Sequence, residues 1–150
     1  RTAEGFSPLG PNEFHETGDL GYVDARGRLH LTGRSADIIK SGGYKVAPGE
    51  VERLLAPALQ PSEVAAVGIP SAYWGEVILA AIENPATGWE ERMDGAVRNM
   101  TDYKRPRLRI AMDELPRNGT GKILRRAIRD HVLSRFRLVD GSRPRLEPRE

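Results

Sequence analysis

Apolar and polar positions divide the chain into segments with two different periods. Val64-Ala65-Ala66-Val67-Gly68-Ile69 and Val77-Ile78-Leu79-Ala80-Ala81-Ile82 are apolar without alternation, the pattern of strands covered on both faces. Leu108 to Met112 predicts a third strand. Upstream, Leu29 and Leu31 alternate with Arg28 and His30, and the Asp24–Gly27 turn joins them to Tyr22-Val23. This predicts a β-hairpin with one buried face and Gly27 in the left-handed position. Ile38-Ile39 and Lys45-Val46 flank Ser41-Gly42-Gly43-Tyr44 and predict a second, smaller hairpin.

Three segments follow the helical period. Val51, Leu54, Leu55 and Ala58 recur at i, i+3, i+4, i+7 behind Pro48, with Glu50 and Glu52 near the positive end. Pro57 and Pro61 shorten or distort this helix. Glu90 to Met100 predicts a second helix, weakened by Gly95. Ile123, Leu124, Ala127, Ile128 and Val132 predict a third, with Arg125, Arg126 and Arg129 facing elsewhere. Residues 1–16 read as loop, and residues 139–150, with Gly141, Pro144 and Pro148 among charges, as a disordered tail. The expected fold class is α+β: a β-hairpin plus a three-stranded sheet packed with helices.

Composition narrows the chemistry. The chain has no cysteine, which excludes a disulfide framework, a thiol nucleophile and a cysteine metal site. His15, His30 and His131 show no ligand spacing, so no metal site is assigned. No apolar run is long enough to span a membrane and no signal pattern opens the chain; a cytoplasmic protein without a membrane partner is expected. The net charge of +2 hides an asymmetry. Residues 1–97 are acid-rich. Beyond them stand Arg98, Lys104, Arg105, Arg107, Arg109, Arg117, Lys122, Arg125, Arg126 and Arg129 against Asp102, Asp113 and Glu114. Such a run suits an anionic partner: a nucleotide, a coenzyme phosphate or nucleic acid. Nucleic acid is disfavoured, because no aromatic platform or known binding motif accompanies the run.

Pro116-Arg117-Asn118-Gly119-Thr120-Gly121-Lys122 presents a mobile cation from a loop in which both glycines can take positive φ. The cation suits a phosphate or a developing negative charge. A Walker phosphate loop is excluded, since Pro116 and Ile123 stand where it requires Gly and Ser/Thr. Thr17-Gly18-Asp19 places a carboxylate beside a glycine, where it could approach a sugar diol or form a local turn.

Four stretches then occur in a recognisable order: Thr17-Gly18-Asp19; Gly33-Arg34 with Asp37 to Tyr44; Tyr103-Lys104-Arg105-Pro106; and Pro116 to Lys122 with Arg126. Across roughly residues 14–137 the chain resembles the adenylate-forming enzymes, among them the acyl-CoA synthetases. The resemblance implies a division into residues 1–33, the end of a large N-terminal domain, and residues 34–138, a small C-terminal domain with a hinge at Ala36 and Asp37. It implies that ATP with Mg²⁺ is bound mainly by the large domain, in cis or in trans. Coenzyme A, or the pantetheine arm of a carrier protein, is the implied acceptor. Lys122 matches the adenylation lysine, Asp19 and Arg34 the ribose contacts, and Lys45 a position near the AMP phosphate. Ser41, Gly42 and Gly43 match the turn lining the pantetheine channel. Arg105, Arg107 or Arg126 could meet coenzyme A phosphates. Without the large domain's phosphate loop and acid pocket, the chain is expected to be inactive alone. The sequence departs from the family at Ala36, usually Asp or Lys, which leaves room for a non-catalytic, regulatory small domain. Phe14-His15-Glu16 carries an extra residue, and the stretch from 84 to 102 is shorter than usual.

Overall fold

The structure, a computed structural model, describes residues 17–150. The loop expected over residues 1–16, with Phe14-His15-Glu16, lies outside the described residues. The chain divides into two compact units between Ala36 and Asp37, three residues beyond the boundary expected after residue 33.

In the first unit, β1 (Asp19–Val23) and β2 (Leu29–Arg34) pair antiparallel, with a bulge between Leu20 and Gly21. The turn is organised by Asp24, whose Oδ1 accepts the amides of Arg26 and Arg28 while Oδ2 faces Arg28 Nε and His30 Nε2 at 2.8 and 2.9 Å. The His30 bond and then the Arg28 amide hold the Asp24 carboxyl at about 2, below its ordinary 3.8. Gly27 takes φ 76°, as its place in the turn requires. Tyr22, Val23, Leu29 and Leu31 are exposed, so among the described residues the expected buried face is not covered.

The second unit is built on β5 (Val64–Ser71) and β6 (Gly75–Glu83), paired antiparallel through eight register positions. β3 (Ile39–Ser41) and β4 (Tyr44–Val46) form the small hairpin, which joins β6 through Ser41 opposite Gly75. β7 (Leu108–Met112) runs parallel to β6 along Leu79–Glu83. The sheet therefore has five strands, not the three expected, because the short hairpin enters through one distant pairing that no local pattern announces.

The two apolar runs are unbroken because both sheet faces are covered. On one face Val64, Ala66, Ile78, Ala80 and Ile82 pack with Val51, Leu55 and Leu59 of α1 (Pro48–Leu59) and Met93 of α2 (Trp89–Arg98). On the other, Ala65, Val67, Ile69, Leu79 and Ala81 pack with Ile128 and Val132 of α3 (Arg125–Arg135). Each fully buried Leu or Ile contributes about 1.5–3 kcal/mol relative to exposure. β5 is an edge strand, and its Ala66 amide is capped by Glu52 Oε1 at 2.9 Å, which satisfies a donor that would otherwise invite another strand.

Two further expectations are corrected. The last helix begins at Arg125 rather than Ile123, because Ile123 bridges Arg117 and the Leu124 amide donates to the Pro116 carbonyl. The tail expected to be disordered from residue 139 is instead part of a hairpin, β8 (Phe136–Val139) with β9 (Arg145–Pro148). Leu138 and Leu146 rest on the second core, and Glu147 pairs with Arg137 and Arg145. Phe136 also packs there, and Asp140 in the turn bonds to Ser71, Ala72 and Tyr73, so the strands dock on an existing core.

Candidate functional site

The expected site residues fall into four places. In the first unit, Asp19 and Arg34 stand directly opposite each other on β1 and β2 and form an ion pair, Arg34 Nε to Asp19 Oδ1 at 3.1 Å. The Asp19 amide donates to Thr17 Oγ1, and the Ser35 amide to the Gly18 carbonyl. Thr17-Gly18-Asp19 is thus a local turn that also presents a paired, half-exposed carboxylate.

In the second unit, Ser41, Gly42, Gly43 and Lys45 share the β3–β4 hairpin. Gly42 and Gly43 take φ 56° and 84°, the left-handed region that a side chain rarely adopts. The Gly42 amide donates to the Trp74 carbonyl at 2.8 Å, and a Cβ on Gly42 would lie 3.3 Å from the Trp74 ring. Ser41 is buried, while Lys45 is exposed on β4. Tyr44 stacks on Tyr103 with ring centres 4.3 Å apart. Beside that stack Lys104 donates to Glu50 at 2.5 Å, and the carboxylate raises the Lys104 ammonium above its ordinary range.

Lys122 lies elsewhere, on a loop closed by its own residues. Asn118 Oδ1 accepts the amides of Thr120 and Lys122 and the Thr120 hydroxyl at 2.8–3.0 Å, while the Asn118 amide donates to the Lys122 carbonyl. Gly121 takes φ 82°, but Gly119 does not share the positive φ expected for both. Arg117 pins the loop to the sheet by pairing with Glu63 and Glu83, and these carboxylates, Glu63 foremost, raise the guanidinium above its ordinary range. Lys122 is exposed, and its ammonium has no ion pair among the described residues.

The hinge candidates part ways. Ala36 ends the first unit, exposed. Asp37 opens the second and sits 3.5 Å from Arg125 Nη1. Arg125 Nη2 also donates to both oxygens of Glu52, at 2.8 and 2.9 Å, while its buried Nε has no partner.

Most of the basic run is neutralised inside the fold. Lys104, Arg107, Arg109, Arg117, Arg125 and Arg129 pair with Glu50, Asp102, Asp94, Glu63, Glu52 and Glu76 respectively. Glu76 fits where it does because Gly68 has no side chain: a Cβ there would stand 2.7 Å from the Glu76 carboxyl carbon. Its carboxylate accepts the Lys40 amide at 2.8 Å as well as Arg129 at 2.6 Å. The unequal charge along the sequence is therefore largely pairing with acids distant in the chain. Arg126 is exposed, with Asp130 at 3.9 Å.

Trp74 is the participant sequence reasoning missed. Its ring carries the Arg107 guanidinium at 4.2 Å and its Nε1 donates to the Gly141 carbonyl at 2.8 Å. A tryptophan in the link between two buried strands was the available signal. A groove of about 280 Å³ runs past Arg105, Arg107 and Arg143. A second cleft, about 610 Å³, lies beside Met112, Arg117 and His131 and contains none of the expected residues. Among the described residues there is no cluster of His, Asp or Glu able to hold a metal, and no helix is long and apolar enough to cross a membrane.

A five-stranded sheet covered on both faces, with a lysine loop at one end and a glycine turn at the other, defines a small α+β domain that is itself a known module. Residues 50–122 match the AMP-binding enzyme C-terminal domain, and the chain belongs to the adenylate-forming enzymes. It is 39% identical over 127 residues to a probable CoA ligase of Humulus lupulus, covering 82% of this chain and 24% of that one. An ATP-bound MatB from Rhodopseudomonas palustris superposes with a TM-score of 0.65 at 32% identity, over 77% of this chain and 24% of that one. An o-succinylbenzoate CoA synthetase from Bacillus subtilis, solved with its acyl-adenylate intermediate, gives 0.63 at 36% identity, over 76% and 24%. The chain spans about a quarter of the length of these relatives.

Proposed function

We propose that this chain is the C-terminal domain of an ATP-dependent carboxylic acid:CoA ligase and serves its two half-reactions from opposite ends. The observation that carries this reading is the placement of the two loops. The Lys122 loop is tied to Glu63 and Glu83, and the Gly42 turn is tied to Gly75 through Ser41 and to Trp74. β6, nine residues long, separates these ends by about 26 Å at a rise of about 3.3 Å per residue. Two groups that far apart on one rigid sheet cannot face one reacting centre in a single orientation. A domain that turns about Ala36 and Asp37 presents them in succession.

In the first step a carboxylate oxygen attacks the α-phosphorus of ATP; the new P–O bond forms as pyrophosphate leaves with its electron pair. Lys122, without an internal counter-ion among the described residues, offsets repulsion between the two anions and stabilises charge growing on the phosphate. Mg²⁺ arrives with the nucleotide and is assigned no ligand here. In the second step a thiol, losing its proton to solvent, attacks the acyl carbonyl; the C–S bond forms and the acyl C–O bond to AMP breaks as AMP leaves with its electron pair. The Ser41-Gly42-Gly43 turn lets the pantetheine arm of coenzyme A or of a carrier protein pass close to the backbone. Asp19, oriented by Arg34, accepts the ribose hydroxyls, and Lys45 faces the AMP phosphate.

The test separates the steps in the polypeptide that joins this chain to its adenylation domain. Lys122→Ala should lower ATP–pyrophosphate exchange by about 10²–10³-fold, the loss typical of one removed charge-stabilising group. Thioester formation from supplied acyl-AMP should be spared. Equal loss of both steps would falsify the assigned role.

A further inference from the structure

We propose that Asp140 is a positioning residue for thioester formation: from the turn of the C-terminal hairpin it holds Trp74 against the Gly42 turn. The inference rests on the ligase reading of that turn and adds to it a residue from a segment whose composition had promised no structure.

One carboxylate gathers four donors. Asp140 Oδ1 accepts the Ser71 hydroxyl at 2.7 Å and the Gly141 amide at 2.9 Å; Oδ2 accepts the amides of Ala72 and Tyr73 at 2.6 and 3.2 Å. Ser71 Oγ in turn accepts the Trp74 amide at 2.8 Å, and the next residue, Gly141, accepts from the Trp74 ring nitrogen. The tryptophan is therefore fixed at its backbone and at its ring by one two-residue element. What it is fixed against is the Gly42 amide, bonded to its carbonyl, and the Arg107 guanidinium on its face. The same element continues into Ser142-Arg143-Pro144, one wall of the groove that holds Arg105 and Arg107.

The sheet does not need this clamp in order to form. The β5–β6 register is set by eight paired positions and by the two cores that cover them. What the strands leave undetermined is the direction of the indole ring in their connecting turn, and Asp140 with Gly141 determines it. The Ser71 bond, foremost, keeps the Asp140 carboxyl below its ordinary value, so the acceptor is charged at neutral pH.

The experiment uses Asp140→Ala in the polypeptide that joins this chain to its adenylation domain, assayed for pyrophosphate exchange and for thioester formation from acyl-AMP with coenzyme A as the varied substrate. The expected result is a KM for coenzyme A raised about ten-fold, the scale of a modest misplacement at a site, with exchange unchanged. Asp140→Asn, which keeps one acceptor oxygen, should recover part of the loss. In the enzyme labelled with 5-fluorotryptophan, the Trp74 fluorine resonance, assigned by its loss in Trp74→Phe, should shift in Asp140→Ala. An unchanged KM alongside a shifted Trp74 resonance overturns the positioning role, and so does equal loss of both half-reactions. A parent enzyme that exchanges pyrophosphate but forms no thioester overturns the ligase reading itself and this inference with it. If Asp140→Ala does not fold, Ser71→Ala, which also releases the Trp74 amide, carries the same comparison.

Discussion

The lysine loop closes on a neutral side chain of its own, Asn118, which collects three donors from within four residues. The glycine turn at the other end of β6 contains no such organiser. It leans on Trp74, and Trp74 leans on Asp140, whose partner Ser71 is 69 residues away. Both arrangements saturate one oxygen-bearing side chain with amide and hydroxyl donors, yet one is local and uncharged while the other is long-range and anionic. The lysine loop, once Arg117 ties it to Glu63 and Glu83, needs only one local acceptor to close. On the proposed reading the glycine turn leaves its surface bare for another molecule, so it has no side chains to spare and borrows rigidity from elsewhere.

The comparison can be broken most forcefully at the bare surface. Gly42→Val puts a branched side chain at φ 56° and within 3.3 Å of the indole. It should cost about 1–3 kcal/mol of stability, measured by denaturant melting, and reduce thioester formation by more than ten-fold while pyrophosphate exchange persists. Asn118→Ala strikes the other end. Losing its acceptor should cost about 1–2 kcal/mol and slow exchange several-fold, with the KM for coenzyme A unchanged. If either variant impaired both half-reactions alike, the two ends would not be separable.

The smallest effect distinguishes the two organisers by charge. Asp140 titrates below its ordinary 3.8. Its clamp therefore contributes fully above that value and is lost as pH falls below it, through the folded value. The fluorine resonance of Trp74 in 5-fluorotryptophan-labelled protein should report the release in acid. The Asn118 acceptor does not titrate, so with Glu63 and Glu83, the carboxylates that pair with Arg117, both replaced by Gln, the Thr120 and Lys122 amide resonances should show no matching transition.

The local rules carried most of the second unit. Val64–Ile69 and Val77–Ile82 were legible as strands because burial on both faces removes alternation, and Pro48 marked the start of α1 because its missing donor costs nothing there. The Lys122 loop stood out because glycines precede its lysine, whereas Ser41, Gly42 and Gly43 read locally as a tight turn and became site candidates only through the resemblance. What stayed hidden depends on partners far along the chain. β3 joins the sheet through Ser41 and Gly75, and Arg125 meets Asp37 and Glu52. Residues 136–148 carry few apolar side chains, and no pattern shows that Leu138 and Leu146 find a finished core to lie on. The hydrophobic face of the β1–β2 hairpin was legible as a pattern, but its burial was not, since Leu29 and Leu31 are exposed in the described structure.

The reach of the Asp140 clamp also orders events in time. A chain made from its N-terminus can pair Arg117 with Glu63 and Glu83 and close the lysine loop once Leu124 is free to fold back onto Pro116. The ring of Trp74 must wait for Asp140 and Gly141. At about 5–20 residues per second of synthesis, that is a delay of roughly 1–3 s. During that interval the lysine loop has all its partners and the ring of Trp74 does not.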